Sequence, residues 1–259
     1  NGTPRASLVA TTMDAIGIAA ASGIRARMES LEILANNLAN ASTSGFKADR
    51  ERYSTYWSAE STSALDGGRG GGGVSPVVEK NWIDFSQGAI TRTGVQTHLA
   101  MTGPGFLSVR RGTETLYTRN GELQISARGT LVNGEGLDVM GANGQPVRLD
   151  AAQSLEIRAD GTVWQGGAQA GRIRLTEFSD PQALQKAGHT YFRWPGPEEQ
   201  VRAAAGTQVI QGAVESANTG PAEGAVRMVN VLRQFESLQK ALQLGNEMSR
   251  RLVEEVAKV

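Results

Sequence analysis

The spacing of hydrophobic positions divides the chain into a helix at each end and a different pattern in the middle. Over residues 14–41 the apolar and small residues recur in alternating steps of four and three, and a similar repeat runs from Met228 to Val256. Such a repeat predicts a helix with a narrow apolar row, here called a seam, of the kind found in coiled coils. The N-terminal seam comprises Gly17, Ala21, Ile24, Met28, Leu31, Ala35 and Leu38, and the C-terminal seam comprises Met228, Val231, Phe235, Leu238, Leu242, Gly245, Ser249, Leu252 and Val256.

Local signals mark where these helices end and begin. The run ASTSG at 41–45 stops the first helix, because Gly45 can adopt a positive φ angle. Pro221 suits the first turn of the second helix, and Glu223 suits the positive end of its dipole. The periodicity leaves two arrangements open. The helices either pack separately on a globular domain, or they form one coiled coil from both chain ends that also packs on other subunits.

The middle of the chain has the alternation and the turn signals of β-structure. The run at 116–125 contains two alternating stretches around Asn120-Gly121, which predicts a tight hairpin. Several short strands at such spacing predict a small antiparallel barrel or sandwich. Further turns are expected at Asn133-Gly134, Asn143-Gly144 and Asp160-Gly161, and further strands at 154–158, 172–178 and 189–194.

Two segments fit neither pattern. Residues 1–12 have no apolar run long enough for a secretory signal peptide, and we expect a non-native or disordered leader there. Residues 50–80 are polar and then Gly-rich, which predicts a linker. The sequence therefore predicts an α+β chain with a discontinuous coiled-coil domain of terminal helices and a central antiparallel β-rich domain, barrel- or sandwich-like. Its expected parts are the N-terminal helix at 13–49, the β-rich domain at 81–211 and the C-terminal helix at 212–259.

Composition removes several classes of partner. The 26 Lys and Arg residues balance the 26 Asp and Glu residues of this 259-residue chain. A neutral chain has no electrostatic attraction to nucleic acid or to an anionic membrane. No apolar stretch approaches the roughly 20 residues that a membrane-spanning helix needs. The chain has no Cys, which excludes thiolate chemistry and Cys-based zinc sites.

Motifs for catalysis and cofactor binding are missing from the sequence. The run GGRGGGG at 67–73 is followed by VSP rather than by the Lys-Ser/Thr of a phosphate-binding loop, so we interpret it as a flexible linker. The run TGPGF at 102–106 lacks the third glycine of a dinucleotide fingerprint and predicts a turn between strands. His98 and His189 are isolated from each other and from any ligand pattern. We therefore expect a protein that is not an enzyme and has no metal or other cofactor.

Three stretches of the sequence resemble the flagellar hook–basal-body rod family. The first is LANNLANASTSGFKADR at 34–50, which matches the family's N-terminal signature. The second is DFSQGAITRTGVQTHLAMTGPGFLSV at 84–109 with YTRNGELQISARGTLVNGEGLDVMG at 117–141. The third is GAVESANTGPAEGAVRMVNVLRQFES at 212–237, which is similar to the segment that leads into the family's last helix. The three follow the family's order and span most of the chain.

The resemblance implies a structural subunit of the rod that crosses the periplasm. Such proteins leave the cell through the flagellar type III export apparatus without a cleaved signal peptide. They stack helically on themselves and on other rod and hook axial proteins to form a drive shaft that transmits torque. The ASTSGFKAD stretch and the short β region favour a proximal-rod over a distal-rod member. The alternative is a periplasmic or cell-surface binding module that carries its β domain on a helical stalk.

The resemblance places the assembly contacts in the two seams and in the N-terminal signature. The signature asparagines Asn36, Asn37 and Asn40 either terminate the helix or hydrogen-bond to neighbouring subunits and set their register. The second interpretation predicts that Asn37→Ala leaves the stability of the monomer nearly unchanged and weakens polymerisation. The expected assembly residues are Ile24, Met28, Leu31, Asn36, Asn37, Leu38, Asn40, Phe46, Met228, Val231, Phe235, Leu238, Leu242 and Leu252.

Overall fold

The computed structural model describes residues 4–57 and 74–256. Within these ranges the chain forms two α-helices, α1 (Pro4–Ala39) and α2 (Pro221–Val256), and eighteen β-strands. The glycine run at 67–73, interpreted above as a linker, lies outside the described residues. Side chains are described at 21–51, 81–248, 250, 251 and 254.

The strands are short and lie between the two helices in the sequence. They are β1 (Asp49–Trp57), β2 (Val74–Ile83), β3 (Ile90–Arg92), β4 (Leu99–Thr102), β5 (Phe106–Arg111), β6 (Glu114–Thr118), β7 (Leu123–Ile125), β8 (Leu131–Asn133), β9 (Asp138–Val139), β10 (Leu155–Ile157), β11 (Thr162–Gln165), β12 (Ala168–Arg172), β13 (Leu175–Phe178), β14 (Gln185–Lys186), β15 (Tyr191–Arg193), β16 (Val201–Ala203), β17 (Gln208–Gln211) and β18 (Ala213–Glu215). This α+β chain with antiparallel pairing confirms the predicted fold class at that level.

The chain divides into two compact units. Among the described residues, the helical unit contains 4–37, 49–57, 74–82 and 222–256, and the β unit contains 38–48 and 83–221. In the helical unit, β1 and β2 form a two-stranded sheet. The described β unit contains a nine-stranded sheet with the path β14-β15-β6-β5-β9-β8-β7, in which β13 joins β5 to β16. It also contains the sheet β10-β11-β12 and the pairs β17-β4 and β18-β3.

The core of the β unit has an aliphatic part and an aromatic part. The aromatic part contains Phe106, Tyr117, Phe178 and Phe192, and the Tyr117 and Phe178 rings meet edge to face at 4.8 Å between centroids. Edge-to-face pairs stabilise a core beyond the area that they bury. The aliphatic part is formed by side chains from most of the strands, among them Leu99, Met101, Leu107, Val109, Leu116, Leu131, Val163 and Ile173.

Both segments that fitted no pattern carry regular structure where they are described. α1 already begins at Pro4, so much of the expected leader at 1–12 is helical. Proline is well tolerated in a first helical turn, and the alanine-rich sequence after it favours a helix. The expected linker at 50–80 begins and ends as the strands β1 and β2. The run RYSTYW within β1 is rich in aromatic residues and threonine, which favour strands.

The hairpin predicted at Asn120-Gly121 is wrong. β6 pairs with β5 and β15, whereas β7 pairs with β8, so the strands on either side of this dipeptide do not pair with each other. Gly121 is required for a different reason. Its carbonyl oxygen accepts the N–H of Leu99 at 2.9 Å, and a Cβ atom on Gly121 would lie 1.6 Å from the Leu99 oxygen. The turn predicted at Asp160-Gly161 is confirmed, since it joins β10 to β11 with Gly161 at a φ of 80°.

Candidate assembly site

In the helical unit, α2 is buried along the C-terminal seam. Met228, Val231, Phe235, Leu238 and Leu242 are each half-buried, and every residue between them is exposed. A single row with steps of three and four is what a helix presents when it packs against one neighbouring helix. The side chain of Leu252, also expected in this row, lies outside the described residues.

The buried side of α1 is not its predicted seam. Gly23, Ala26, Ser30 and Asn37 are buried, whereas Met28 of the N-terminal seam is 51% exposed. The remaining expected residues of that row, Ile24, Leu31 and Leu38, are half-buried. At 3.6 residues per turn the two rows lie about a third of a turn apart around the helix. The N-terminal seam is therefore not the side of α1 that is buried within the chain, and its role in assembly stays a prediction.

Small side chains explain why the buried row of α1 lies elsewhere. A Cβ atom added to Gly23 would lie 3.5 Å from Cδ1 of Leu238, so a seam residue of α2 packs directly over this glycine. Helices that approach closely need small residues at the contact, and Gly23 provides one. Ser30 contacts β1 instead, because its Oγ donates to Glu51 Oε2 at 2.9 Å. Helix α1 therefore meets α2 at a glycine and leaves part of its larger apolar row uncovered.

Helix α2 carries exposed apolar side chains near both of its ends, on the side opposite its seam, with polar residues such as Arg233 and Ser237 between them. Val226, Leu244 and Met248 are 62%, 61% and 58% exposed. Val226 and Leu244 are 18 positions apart, about five turns, so they point in the same direction. Exposed apolar side chains aligned along one side of a helix are typical of a surface that another molecule covers. We call these side chains the outer row.

Asn37 is used inside the chain. Its Nδ2 donates to the backbone oxygen of Asp49 at 2.8 Å, and its Oδ1 accepts the N–H of Asp49 at 3.0 Å. The side chain is 5% exposed. The amide therefore pairs with the first residue of β1 as a neighbouring strand would. The expectation that Asn37 contacts a neighbouring subunit does not fit this geometry.

Asn37→Ala is expected to destabilise the helical unit by about 1–3 kcal/mol, because it leaves the Asp49 N–H and C=O without their partner. This reverses the sequence-based expectation of an unchanged monomer. Hydrogen exchange of the monomer measures it, with faster exchange expected at the start of β1. Asn230→Ala, at an exposed position of α2, is the control. Equal exchange at Asp49 in both variants would contradict the assignment.

The other signature residues lie where α1 ends. The backbone oxygen of Asn40 accepts the N–H of Thr43 at 3.0 Å, and the Asn40 side chain is 7% exposed. This geometry agrees with the interpretation that Asn40 terminates the helix. Gly45 follows with a φ of 69°, as predicted. Asn36 is exposed and has polar contacts of its own.

Phe46 is a core residue of the β unit. It is 1% exposed, and the ammonium group of Lys186 lies 4.8 Å from its ring centroid. A side chain at this depth cannot contact another subunit, so its assignment to the assembly surface is wrong. In the signature GFKAD, Phe46 is followed by Lys47. The contacts of Lys47 show why this segment is buried.

A buried ion cluster joins three distant parts of the β unit. Lys47 Nζ lies 2.6 Å from Glu215 Oε1, and Arg119 Nε lies 2.9 Å from Glu215 Oε2. The side chains of these residues are 1%, 3% and 0% exposed in the order Lys47, Arg119, Glu215. The cluster carries two positive charges and one negative charge. Buried charges are tolerated only when pairing and hydrogen bonds compensate for lost water.

Backbone groups supply the remaining hydrogen bonds of the cluster. Lys47 Nζ donates to the oxygen of Ser86 at 2.6 Å, and the N–H of Gly88 donates to Glu215 Oε1 at 2.9 Å. Arg119 donates to the oxygens of Gly103, at 2.7 Å, and of Gly105. Burial lowers the pKa of Lys47 below its usual value of 10.5, and Glu215 opposes this by raising it. Removal of Glu215 would therefore leave two buried cations facing each other.

Asn218 connects the two chain segments that flank the cluster. Its Oδ1 accepts the N–H of Ala48 at 2.8 Å, and its Nδ2 donates to the oxygen of Asp84 at 2.6 Å. The N–H of Gly45 donates to the oxygen of Glu215 at 2.6 Å. The segment after α1 and the segment before α2 are thus held side by side.

The site residues expected from the sequence do not include this cluster. Lys47, Arg119, Glu215 and Asn218 all stand inside the three stretches that carried the family resemblance. One signal in the sequence points to these residues. In each stretch a polar or charged residue stands next to an apolar residue or a glycine. Their distance in sequence, 168 residues between Lys47 and Glu215, concealed that they pair.

Among the described residues, no three His, Asp or Glu side chains come together as a metal site requires. Neither described helix combines the length and the apolar character that crossing a bilayer demands.

Three family models match the chain in the order of its three stretches. The model of flagellar basal-body rod proteins matches residues 19–47. The model of the D1 domain of the flagellar hook proteins FlgE/F/G matches residues 100–165, and the model of the FlgEFG rod protein C-terminal region matches residues 210–255. Each matched region contains one member of the ion cluster, Lys47, Arg119 or Glu215 in turn.

Whole-chain relatives agree with these matches. The flagellar basal-body rod protein FlgF of Caulobacter vibrioides is 31% identical over 237 residues, which are 88% of this chain and 92% of the relative. The chain belongs to the flagellar basal-body rod protein family. Two rod proteins named FlgG, from Bacillus subtilis and from Buchnera aphidicola subsp. Schizaphis graminum, are each 29% identical. They cover 90% and 89% of this chain, and it covers 95% of each of them.

Family membership gives this rod protein its role. Rod proteins are structural components of the flagellar basal body, where they serve motility. The matches do not favour the alternative of a cell-surface binding module.

Proposed function

We propose that this chain polymerises through its terminal helices into a helical assembly that forms part of the flagellar drive shaft and transmits torque. One observation carries the proposal. The outer row of α2 stays exposed although the seam on the other side of the same helix is occupied inside the chain. A helix with apolar rows on two opposite sides can pack in its own subunit and against a second subunit at the same time.

The two exposed rows differ, and this difference favours an open assembly. The outer row of α2 is formed by Val226, Leu244 and Met248, and the uncovered row of α1 is formed around Met28. A contact between two unlike surfaces is heterologous, and a heterologous contact that does not close into a ring builds a helical polymer. We infer that the outer row of one subunit packs against a different surface of the next.

The remaining expected features belong to the same proposal. We infer that α1 and α2 pair as a coiled coil and that the β unit is a barrel- or sandwich-like domain. The domain limits at 13–49, 81–211 and 212–259 remain proposals, as does Leu252 in the assembly surface. We also propose export through the flagellar type III apparatus without a cleaved signal peptide, assembly with other axial proteins across the periplasm, and membership of the proximal-rod type. The absence of enzymatic activity is part of this proposal.

Leu244→Glu is expected to prevent rod assembly and to leave the monomer folded, because it places a charge in the outer row at a position that is 61% exposed. The variant would replace the native chain in its bacterium, and isolated basal bodies would be imaged by electron microscopy. Incomplete rods are expected, with an unchanged thermal melt of the purified monomer.

Gln243→Glu is the matched control, since it introduces the same charge at the neighbouring exposed position outside the row. It should yield complete rods. Complete rods with Leu244→Glu would exclude the outer row as an assembly surface. Complete rods after deletion of the whole gene would overturn the rod function itself.

A further inference from the structure

A groove of about 800 Å³ on the β unit is lined by arginine and alanine side chains. Its arginines are Arg172 from β12, Arg174 just before β13 and Arg202 from β16. Arg172 and Arg202 are exposed and Arg174 is half-buried. The floor is apolar, because Ile173 and Leu175 are buried beneath the arginines. Neither the seams nor the ion cluster involves this groove.

The positive charge of the groove is only partly balanced within the described chain. None of its three guanidinium groups lies within 4.0 Å of a described carboxylate. Arg172 Nε donates to the backbone oxygen of Asp160 at 3.1 Å. The Asp160 carboxylate is occupied by Thr162, whose Oγ1 donates to it at 2.6 Å and thereby lowers the pKa of Asp160. Arg202 stands directly opposite Glu177 in the β13–β16 pair, so three arginines and two carboxylates leave the groove with a net charge of about +1.

One wall of the groove is an open strand edge. β16 pairs with β13 and with no other described strand. Ala204 donates its N–H to the oxygen of Leu175 at 3.0 Å. Successive N–H groups of an antiparallel strand point to opposite sides, so the N–H of Ala203 points away from β13, towards the open edge. The side chains along this edge, Ala203, Ala204 and Ala205, are small and leave room for another backbone.

We propose that this groove binds an extended acidic peptide segment of a partner protein, which adds a strand to β16 and places its carboxylates against Arg172, Arg174 and Arg202. Strand addition supplies the backbone hydrogen bonds that an open sheet edge lacks, and alternate side chains of the added strand give specificity. Arginine forks pair with carboxylates through two hydrogen bonds at once. A small anion would satisfy the arginines but would leave the edge of β16 unpaired. An extended acidic segment satisfies both.

The full-length chain would be titrated against a fluorescently labelled peptide of about eight residues, a usual strand length, with Asp alternating with Val. Binding is followed by fluorescence anisotropy. A peptide with Asn in place of each Asp tests the charge. Arg172→Ala combined with Arg202→Ala is expected to weaken binding at least about tenfold, and added salt should weaken it further. Arg128→Ala is the control, because this exposed arginine lies in the β unit but not in the groove.

Ala203→Pro separates strand addition from charge attraction. Proline removes the outward N–H and leaves the charge of the groove unchanged, and proline is tolerated on edge strands. We expect at least about fivefold weaker binding with an unchanged thermal melt. Equal binding by Ala203→Pro and the wild type would overturn strand addition. Equal binding of the Asn peptide would overturn the acidic partner.

The second copy of the chain is the alternative occupant. Sedimentation velocity of the chain alone, with and without the double arginine substitution, tests for it. Self-association that the substitution abolishes would overturn the proposal in favour of a contact between subunits. The proposal does not depend on the outer row, so the failure of one leaves the other standing.

Discussion

Glu215→Gln is expected to lower the free energy of unfolding of the β unit by about 3–5 kcal/mol, because it leaves Lys47 and Arg119 buried without their counter-charge. Glutamine has nearly the same size, so the loss comes from charge and not from packing. Urea denaturation followed by tryptophan fluorescence measures the effect, since Trp164 and Trp194 lie in this unit.

Glu156→Gln is the matched control, because this glutamate is 65% exposed and its contact with Arg158 lies at the surface. Exposed ion pairs contribute about 0–1 kcal/mol, so the control should change little. A similar small effect of both substitutions would show that the buried cluster does not hold the β unit together.

The Glu215→Gln variant should also depend on pH in a defined direction. Burial lowers the pKa of Lys47 in the folded chain below 10.5, and Glu215 raises it. Without Glu215 the pKa of Lys47 in the folded chain falls further, so between that pKa and pH 10.5 the unfolded chain binds more protons at Lys47 than the folded chain does. Stability then rises with pH up to this value, and it should rise more steeply in the variant than in the wild type. Denaturation at a series of alkaline pH values measures the slope.

Gly121→Ala is expected to cost at least about 3 kcal/mol of stability, because neighbouring backbone must move to admit the new atom. Its Cβ would lie 1.6 Å from the Leu99 oxygen, and the shift would break the hydrogen bond from the Leu99 N–H. Thermal unfolding of the purified chain measures the loss.

Gly134→Ala provides the comparison, since Gly134 also follows an asparagine and has no heavy atom within 4 Å of an added Cβ. Its effect should stay within about 0.5 kcal/mol. If both glycines tolerate alanine equally, the close approach of the chain at Leu99 is wrong.

These two predictions concern contacts that sequence reasoning could not foresee. Asn120-Gly121 has the composition of a hairpin, and local preference alone cannot distinguish a turn glycine from one that another strand approaches. Lys47, Arg119 and Glu215 were visible as parts of three motifs. Their meeting depends on the order of strands in the sheets, which no local pattern encodes.

Each helix also combines features that the sequence predicts with features that only the structure shows. The spacing of Met228, Phe235 and Leu242 predicts one apolar side of α2, and these residues lie on its half-buried side, while their role in assembly stays a prediction. In α1 the apolar row around Met28 was preferred to the row of Gly23 and Ala26. Hydrophobicity marks what a helix tends to bury, whereas the small residues mark where its partner comes close.

The sequence by itself determined the fold class, the two terminal helices, the start of α2 at Pro221 and the family, since these follow from periodicity and ordered motifs. Only the tertiary structure decided which row of α1 is buried, why Gly121 is a glycine and how Glu215 joins Lys47 to Arg119. The physical reason is the separation along the sequence over which each kind of interaction acts. Helical repeats and turns express interactions over a few residues, whereas close packing and buried charge pairs join residues that only the folded chain brings together.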